Sequence, residues 1–294
     1  MTSSVVRRAT PRPHFHEPHL IRRADAAHHV WGDAEGGYVT DRVISSSDQL
    51  HVLEFELPPG GRFGHTASNP TLFAADVAYL CVAGTLCLAD PESGEVALVP
   101  EGSGVYFGRD TWHHGFAVGP HTARVVEFMS PPPVLGTAST YGRTRPLLAE
   151  TCYADERWRG RWPQALTEQR SGRRLVPLGT DDGLLAFRDA SPAHLVWTLL
   201  DTPLLTVVRG EVQPGTVDAF AVQQKETVLR VVAGELWVDV RDPAATDAAY
   251  TVGCLQPGDA CFVPAGHELR TLVRADRPAS YLQGSARVPD GWQP

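Results

Sequence analysis

Lysine is almost missing from this 294-residue sequence: of its 26 basic residues only Lys225 is a lysine. Against 34 acidic residues this leaves a formal net charge of −8, which disfavours nonspecific binding to nucleic acid or to anionic membranes. The arginine bias, with abundant alanine and proline, fits a GC-rich genome better than arginine-based recognition. Long apolar runs are absent as well. Nothing approaches the roughly 18 consecutive apolar residues of a membrane span. The opening MTSSVVRRATPRPHFHEPHL holds no apolar core of signal-peptide length. Cysteine is scarce: residues 81, 87, 152, 254 and 261 make an odd set with no CxxC pair, which argues against a disulfide framework or zinc ribbon and for a reducing cytoplasm. No helix-turn-helix or basic helix is legible. What is present is an ordinary globular composition, 43% hydrophobic, sufficient for one large core or two of usual size.

The middle of the chain repeats. One copy reads LEFELPPGGRF, then DVAYLCVAGTLCLA, then GSGVYFGRDTWHHGF; the other reads VVRGEVQPGTV, then ETVLRVVAGELWVDV, then GDACFVPAGHELRTL. Each opens with an alternating strand ending in Pro-Gly, continues into an apolar strand closed by a Gly hairpin (Gly84, Gly234), and ends with a Gly-started strand that turns tightly into another. The blocks lie 155, 150 and 156 residues apart, so the copies differ only by loop insertions. Short strands with Gly/Pro turns predict an all-β sandwich or barrel used twice.

On these motifs the sequence resembles a bicupin, two small antiparallel jelly-roll barrels in one chain. The family's first motif is roughly G-x5-H-x-H-x3-4-E-x6-G and its second G-x5-P-x-G-x2-H-x3-N. GDACFVPAG (258–266) matches the opening of the second motif, and Gly102 to Gly108 keeps its spacing with Gly for Pro, which puts His113 at the motif histidine. The resemblance covers about residues 40–130 and 195–288. The expected organisation is an N-terminal arm (1–37) carrying HFHEPH, a first cupin barrel (38–132), a partly helical linker (133–180) with Trp158, Trp162 and Leu166 four apart, and a second barrel (181–294).

The resemblance implies a metal in the first barrel, held by His113 and His65 with Asp76 as the carboxylate. A two-histidine, one-carboxylate set is the arrangement of non-haem iron oxygenases. Iron is the first expectation, with manganese, nickel and zinc as alternatives, and no metal at all if the site is degenerate. Three departures from the motif stand out. The HxH pair is absent, because Ala67 follows two after His65. Asp76 sits one residue before the motif position, which Val77 fills, so strand alternation puts it on the outer face unless a bulge intervenes. Eleven residues also separate His65 from Asp76, more than the motif allows. His114 is a general-base candidate, although alternation argues that His113 and His114 do not both point inward. Phe63, Tyr79, Tyr106 and Trp112 are candidate pocket walls, suited to a small, partly aromatic or polyene-like ligand, and Cys81 reads as a small buried hydrophobe. In the second copy Phe220 and Leu269 stand at the ligand positions and only Glu226 matches Asp76 in character, so that barrel is degenerate: structural, or at most a binding pocket.

Three functions follow: metal-dependent oxygenase-type chemistry on a small molecule; a metal-independent cyclase, isomerase or lyase of secondary metabolism; or a non-catalytic small-ligand module. A homodimer is expected from exposed barrel edges, without nucleic-acid or membrane partners.

Overall fold

A computed structural model describes residues 10–64, 73–109, 111–133, 174–244 and 250–287. They fold almost entirely as β-structure. The strands are β1 (His19–Ile21), β2 (Ala27–Asp33), β3 (Gly37–Ser46), β4 (His51–Leu57), β5 (Arg62–Phe63), β6 (Asp76–Ala83), β7 (Thr85–Asp90), β8 (Glu95–Pro100), β9 (Gly104–Phe107), β10 (His114–Ala117) and β11 (Ala123–Ser130). The second half supplies β12 (Val176–Leu178), β13 (Leu184–Phe187), β14 (His194–Asp201), β15 (Leu205–Val212), β16 (Ala221–Val222), β17 (Thr227–Ala233), β18 (Leu236–Arg241), β19 (Tyr250–Leu255), β20 (Ala260–Val263), β21 (Glu268–Leu272) and β22 (Ala279–Ala286).

Four antiparallel sheets result, and they pair off by symmetry. The first barrel joins a seven-stranded sheet, β12-β9-β6-β11-β4-β3-β2, to a four-stranded one, β5-β10-β7-β8. Its counterpart joins β1-β20-β17-β22-β15-β14-β13 to β16-β21-β18-β19. The outermost strands are exchanged. β1, from the segment expected to be an arm, lies against β20 of the second barrel with His19 opposite Phe262. β12, from the end of the expected linker, lies against β9 of the first with Val176 opposite Tyr106. β2 joins β3, so residues 19–33 are parts of both sheets and not a loose arm. The helical stripe expected around Trp158 to Leu166 lies outside the described residues.

The hairpin glycines that marked the repeat are required by geometry. Gly84 and Gly234 adopt φ of +69° and +73°, and a Cβ on either would collide with a backbone carbonyl, that of Thr122 or Pro278. Central strands of the large sheets are covered on both faces. Val77, Tyr79 and Cys81 of β6 enter the core of their own barrel, while Ala78 and Leu80 enter a second core shared with Val207, Val228, Phe262 and Leu282 of the other barrel. Double burial explains why DVAYLCVA reads as a continuous apolar run without clean alternation.

Polar contacts cross the same interface. Glu54 of β4 is tied to Arg23, Arg124 and the buried Arg230 of β17. Burial alone raises the pKa of Glu54, but Arg230, Arg23 and Arg124 outweigh it and hold the carboxyl below its ordinary range. Thr202, which closes a hydroxyl turn onto Leu205, donates to Asp76 at 2.6 Å. At the matching place Ser47 closes the same turn onto Leu50 and lies beside the Glu226 carboxyl. Each barrel thus offers one carboxylate to one hydroxyl turn of the other.

Candidate functional site

Inside the first barrel a cavity encloses about 530 Å³ of empty space, its open mouth included. Its apolar walls are Trp31, Val39, Leu53, Phe55, Phe63, Phe73 and Met129; its polar groups are Asp41, His51, Tyr79, His113 and Glu127, with Thr10 and Pro133 at its margin. Alternation along three strands delivers the polar groups: Val39, Asp41 and Val43 from β3, His51, Leu53 and Phe55 from β4, and Val125, Glu127 and Met129 from β11 share the inward parity.

His113 is 1% exposed and caged by rings, with Phe107 at 4.4 Å between centroids and Phe73, Tyr79 and Phe63 near 6 Å. Its Nδ1 lies 3.1 Å from the carbonyl of Thr111, an acceptor only, so Nδ1 carries the proton. In the neutral ring Nε2 is then an acceptor, and the Tyr79 hydroxyl donates to it at 3.3 Å. Tyr79 also lies beside Glu127, whose carboxyl burial pushes up to about 8, with the Tyr79 hydroxyl partly offsetting the shift. Burial, followed by the neighbouring charges of Glu127 and Asp41, lifts the Tyr79 phenol well above its ordinary range.

Two more ionisable groups share this space. Asp41 is held well above the ordinary carboxylate range by burial and then by Glu127. His51 is held at about 3 by burial and then by the Arg12 guanidinium, so it is neutral at physiological pH, with Nδ1 2.9 Å from Ser46 Oγ. Burial thus keeps the Glu127 proton in place near neutral pH and favours the neutral form of Asp41.

The residues expected from sequence are placed as follows. Phe63, Tyr79 and His113 line the cavity together. Asp76 does not: it lies on the opposite side of β6 from Val77 and Tyr79, and its carboxylate accepts from Thr202 and, at 3.2 Å, from Tyr106. The one-residue offset from the motif is the reason, since no bulge restores its parity. The same argument removes Tyr106, whose hydroxyl is committed to Asp76 on the inter-barrel side. Trp112 is buried but outside the cavity lining. His114, buried at the start of β10, faces Gly64, where a Cβ would stand 3.1 Å from its Nδ1. His65 lies outside the described residues. Sequence reasoning missed Asp41, His51 and Glu127. The available signal was a charged or imidazole side chain at the inward parity of an otherwise apolar strand.

The second barrel is filled differently. Leu229, Val231, Val238, Val240, Leu255, Val263 and Leu269 pack its interior, with Leu269 where His113 stands in the first copy. Phe220 is half-buried under the guanidiniums of Arg241 and Arg270. A closed polar cluster lies among these residues: His194 bonds Asp218 at 2.8 Å and the Tyr281 hydroxyl at 3.0 Å, and Thr271 donates to Asp218.

No family model and no curated protein matches the chain. Solved structures do. A protein described as glyoxylate-induced, from Pseudomonas aeruginosa, is similar at a TM-score of 0.64 and 12% identity, over 100% of this chain and 96% of that one. Oxalate decarboxylase from Bacillus subtilis, which has Mn(II) centres, is similar at 0.60 and 13%, over 95% of this chain and 78% of that one. AerE from Microcystis aeruginosa is similar at 0.58 and 8%, over 89% and 97%. The chain has the bicupin fold. At these identities the likeness concerns architecture alone, so the chemistry of this chain must be argued from its own side chains.

Whether those side chains fit a metal is answered by the donor set. Three protein ligands on one point are the minimum for a typical catalytic site. Among the described residues no three His, Cys, Asp or Glu groups converge in that way. Asp76 faces the other barrel, and the Nε2 of His113 is engaged by Tyr79. The described donors of the bicupin do not make a metal centre. No described helix is long and apolar enough to cross a membrane.

Proposed function

We propose that the N-terminal barrel is a metal-independent acid–base site for a small molecule, of the isomerase or lyase type. The observation that carries this reading is the buried Glu127 carboxyl beside Tyr79, with Tyr79 hydrogen-bonded to His113, in the wall of the cavity. A carboxyl that exchanges its proton near pH 8 suits proton transfer at working pH. Ionised Glu127 takes a proton from a bound carbon acid, and the same proton returns at another carbon, so no electrons leave the ligand and no oxidant is consumed. Tyr79 and His113 line the wall beside the carboxyl, and the imidazole offers a second site for a proton. Oxygenase-type chemistry on iron was the first expectation; it required Asp76 beside His113 and loses its support with the position of that residue.

The test is solvent exchange. Chelator-treated protein in D2O, incubated with a panel of small carbonyl compounds, is followed by NMR for deuterium incorporation. Exchange that survives chelation and disappears in Glu127→Gln supports the reading. Exchange that requires added Mn(II) or Fe(II) overturns it. Within this reading the protein is a cytoplasmic homodimer: its four described cysteines are free, and β13, an edge strand exposing Leu184, Leu185 and Phe187, offers a surface for a second copy.

A further inference from the structure

We propose that the ligand of the first barrel is an organic cation, an ammonium group on a small apolar or aromatic body, with Asp41 and Glu127 as its counter-charges. The proposal rests on the reading of the cavity as a small-molecule site and names the class of molecule it takes.

Among the described residues the lining contains two carboxyls and no arginine or lysine. Asp41 is only 5% exposed and its carboxyl has no hydrogen-bond partner among the described residues, an arrangement that ordinarily costs free energy unless a ligand completes it. Glu127 lies beside the Tyr79 hydroxyl. The imidazoles are committed elsewhere: His51 to Ser46, His113 to Thr111 and Tyr79. Nearby guanidiniums are held outside the cavity, Arg12 by Ser46 and Ser47, Arg42 by His28 and Glu56.

Three kinds of visitor can be compared on this basis. An anion meets no opposite charge and two acidic groups, so this barrel is ill suited to a carboxylate such as oxalate. A neutral hydrocarbon fits the walls but leaves Asp41 unsatisfied. An ammonium donates to Asp41, ionises both carboxyls, and is surrounded by the rings of Trp31, Phe55, Phe63 and Tyr79, whose faces attract cations. Burial favours the neutral form of both carboxyls without such a ligand, so binding a cation is coupled to proton release.

Calorimetric titration of the full-length protein with three probes of similar shape tests the idea: benzylammonium, benzyl alcohol and phenylacetate, each at pH 8.5 and pH 6. The ammonium probe is expected to bind at least about tenfold more tightly than benzyl alcohol at pH 8.5, roughly 1.4 kcal/mol, with phenylacetate weakest. Its affinity should fall by about tenfold or more at pH 6, where it must displace carboxyl protons. Asp41→Asn should weaken the cation about tenfold and leave benzyl alcohol within about twofold. If that variant fails to fold, the probe series and its pH dependence on the wild type decide. Equal binding of the cation and benzyl alcohol overturns the charge assignment while leaving the small-molecule site standing. Failure of all three probes sinks the small-molecule reading itself. MnCl2 alone is the last arm: a rise in Tm abolished by Asp41→Asn makes the occupant a metal and also overturns the proposal.

Discussion

Replacing Glu127 by glutamine should make this protein more stable in alkali. In the folded state burial raises the carboxyl from its ordinary 4.5 to about 8. Between those two values the folded chain keeps a proton that the unfolded chain has released, so stability falls as pH rises. At about 1.4 kcal/mol per pH unit, the interval amounts to roughly 5 kcal/mol, fully present below pH 4.5 and fully lost above about pH 8. Glutamine has the same shape, keeps a donor for Tyr79 and cannot ionise. Glu127→Gln should therefore match the wild type within about 1 kcal/mol at pH 5, the net worth of one altered hydrogen bond. It should exceed the wild type by several kcal/mol at pH 9. Asp41 titrates in the same direction, so the difference between the two proteins is the informative quantity. Urea denaturation at half-unit steps from pH 5 to 9 measures it. A difference that stays within about 1 kcal/mol over the whole range refutes the claim that Glu127 is buried as a neutral acid.

Other consequences are equally direct. Tyr79→Phe removes the hydroxyl that lowers the Glu127 pKa, so carboxyl-carbon NMR should show Glu127 titrating above 8; an unchanged or lower value contradicts that contact. Glu54→Gln leaves the buried Arg230 without its counter-charge and should cost about 3–5 kcal/mol in denaturant unfolding; a loss under about 1 kcal/mol contradicts that pairing. Asp76→Asn weakens one tether to Thr202 and should cost about 1 kcal/mol without altering probe binding in the first barrel; a large change in cavity affinity would place Asp76 in the site after all. Leu184→Arg and Phe187→Arg should shift light scattering from dimer to monomer if β13 carries self-association.

The two-barrel architecture was legible because its marks are local and steric. Gly84, Gly234, Pro58-Pro59-Gly60 and Pro214-Gly215 are turns that few other residues make, and they recur in the same order. Strand parity was legible too: Val77 at the motif position already implied that Asp76 turns outward. The site was harder to see because attention followed histidines, whose chemistry is conspicuous. Glu127 hides in ARVVEFMS and Asp41 in GYVTDRV, where a single acidic residue looks like a solvated position until the pairing shows both faces of the sheet to be covered. Nor does any local pattern reveal that β1 and β12 leave their own repeats, because those pairings join residues far apart in sequence, His19 with Phe262 and Val176 with Tyr106.

The exchanged strands and the reciprocal Asp76–Thr202 and Glu226–Ser47 tethers have the form of an isologous contact, in which the same surface meets itself about a two-fold axis. Two separate copies of a one-barrel protein would make these contacts as a strand-swapped homodimer. The present chain is such a dimer written into one polypeptide. Covalent linkage frees the two halves from having to be identical: one keeps an acid-lined hollow, and the other closes around leucine and valine and serves as its permanent partner.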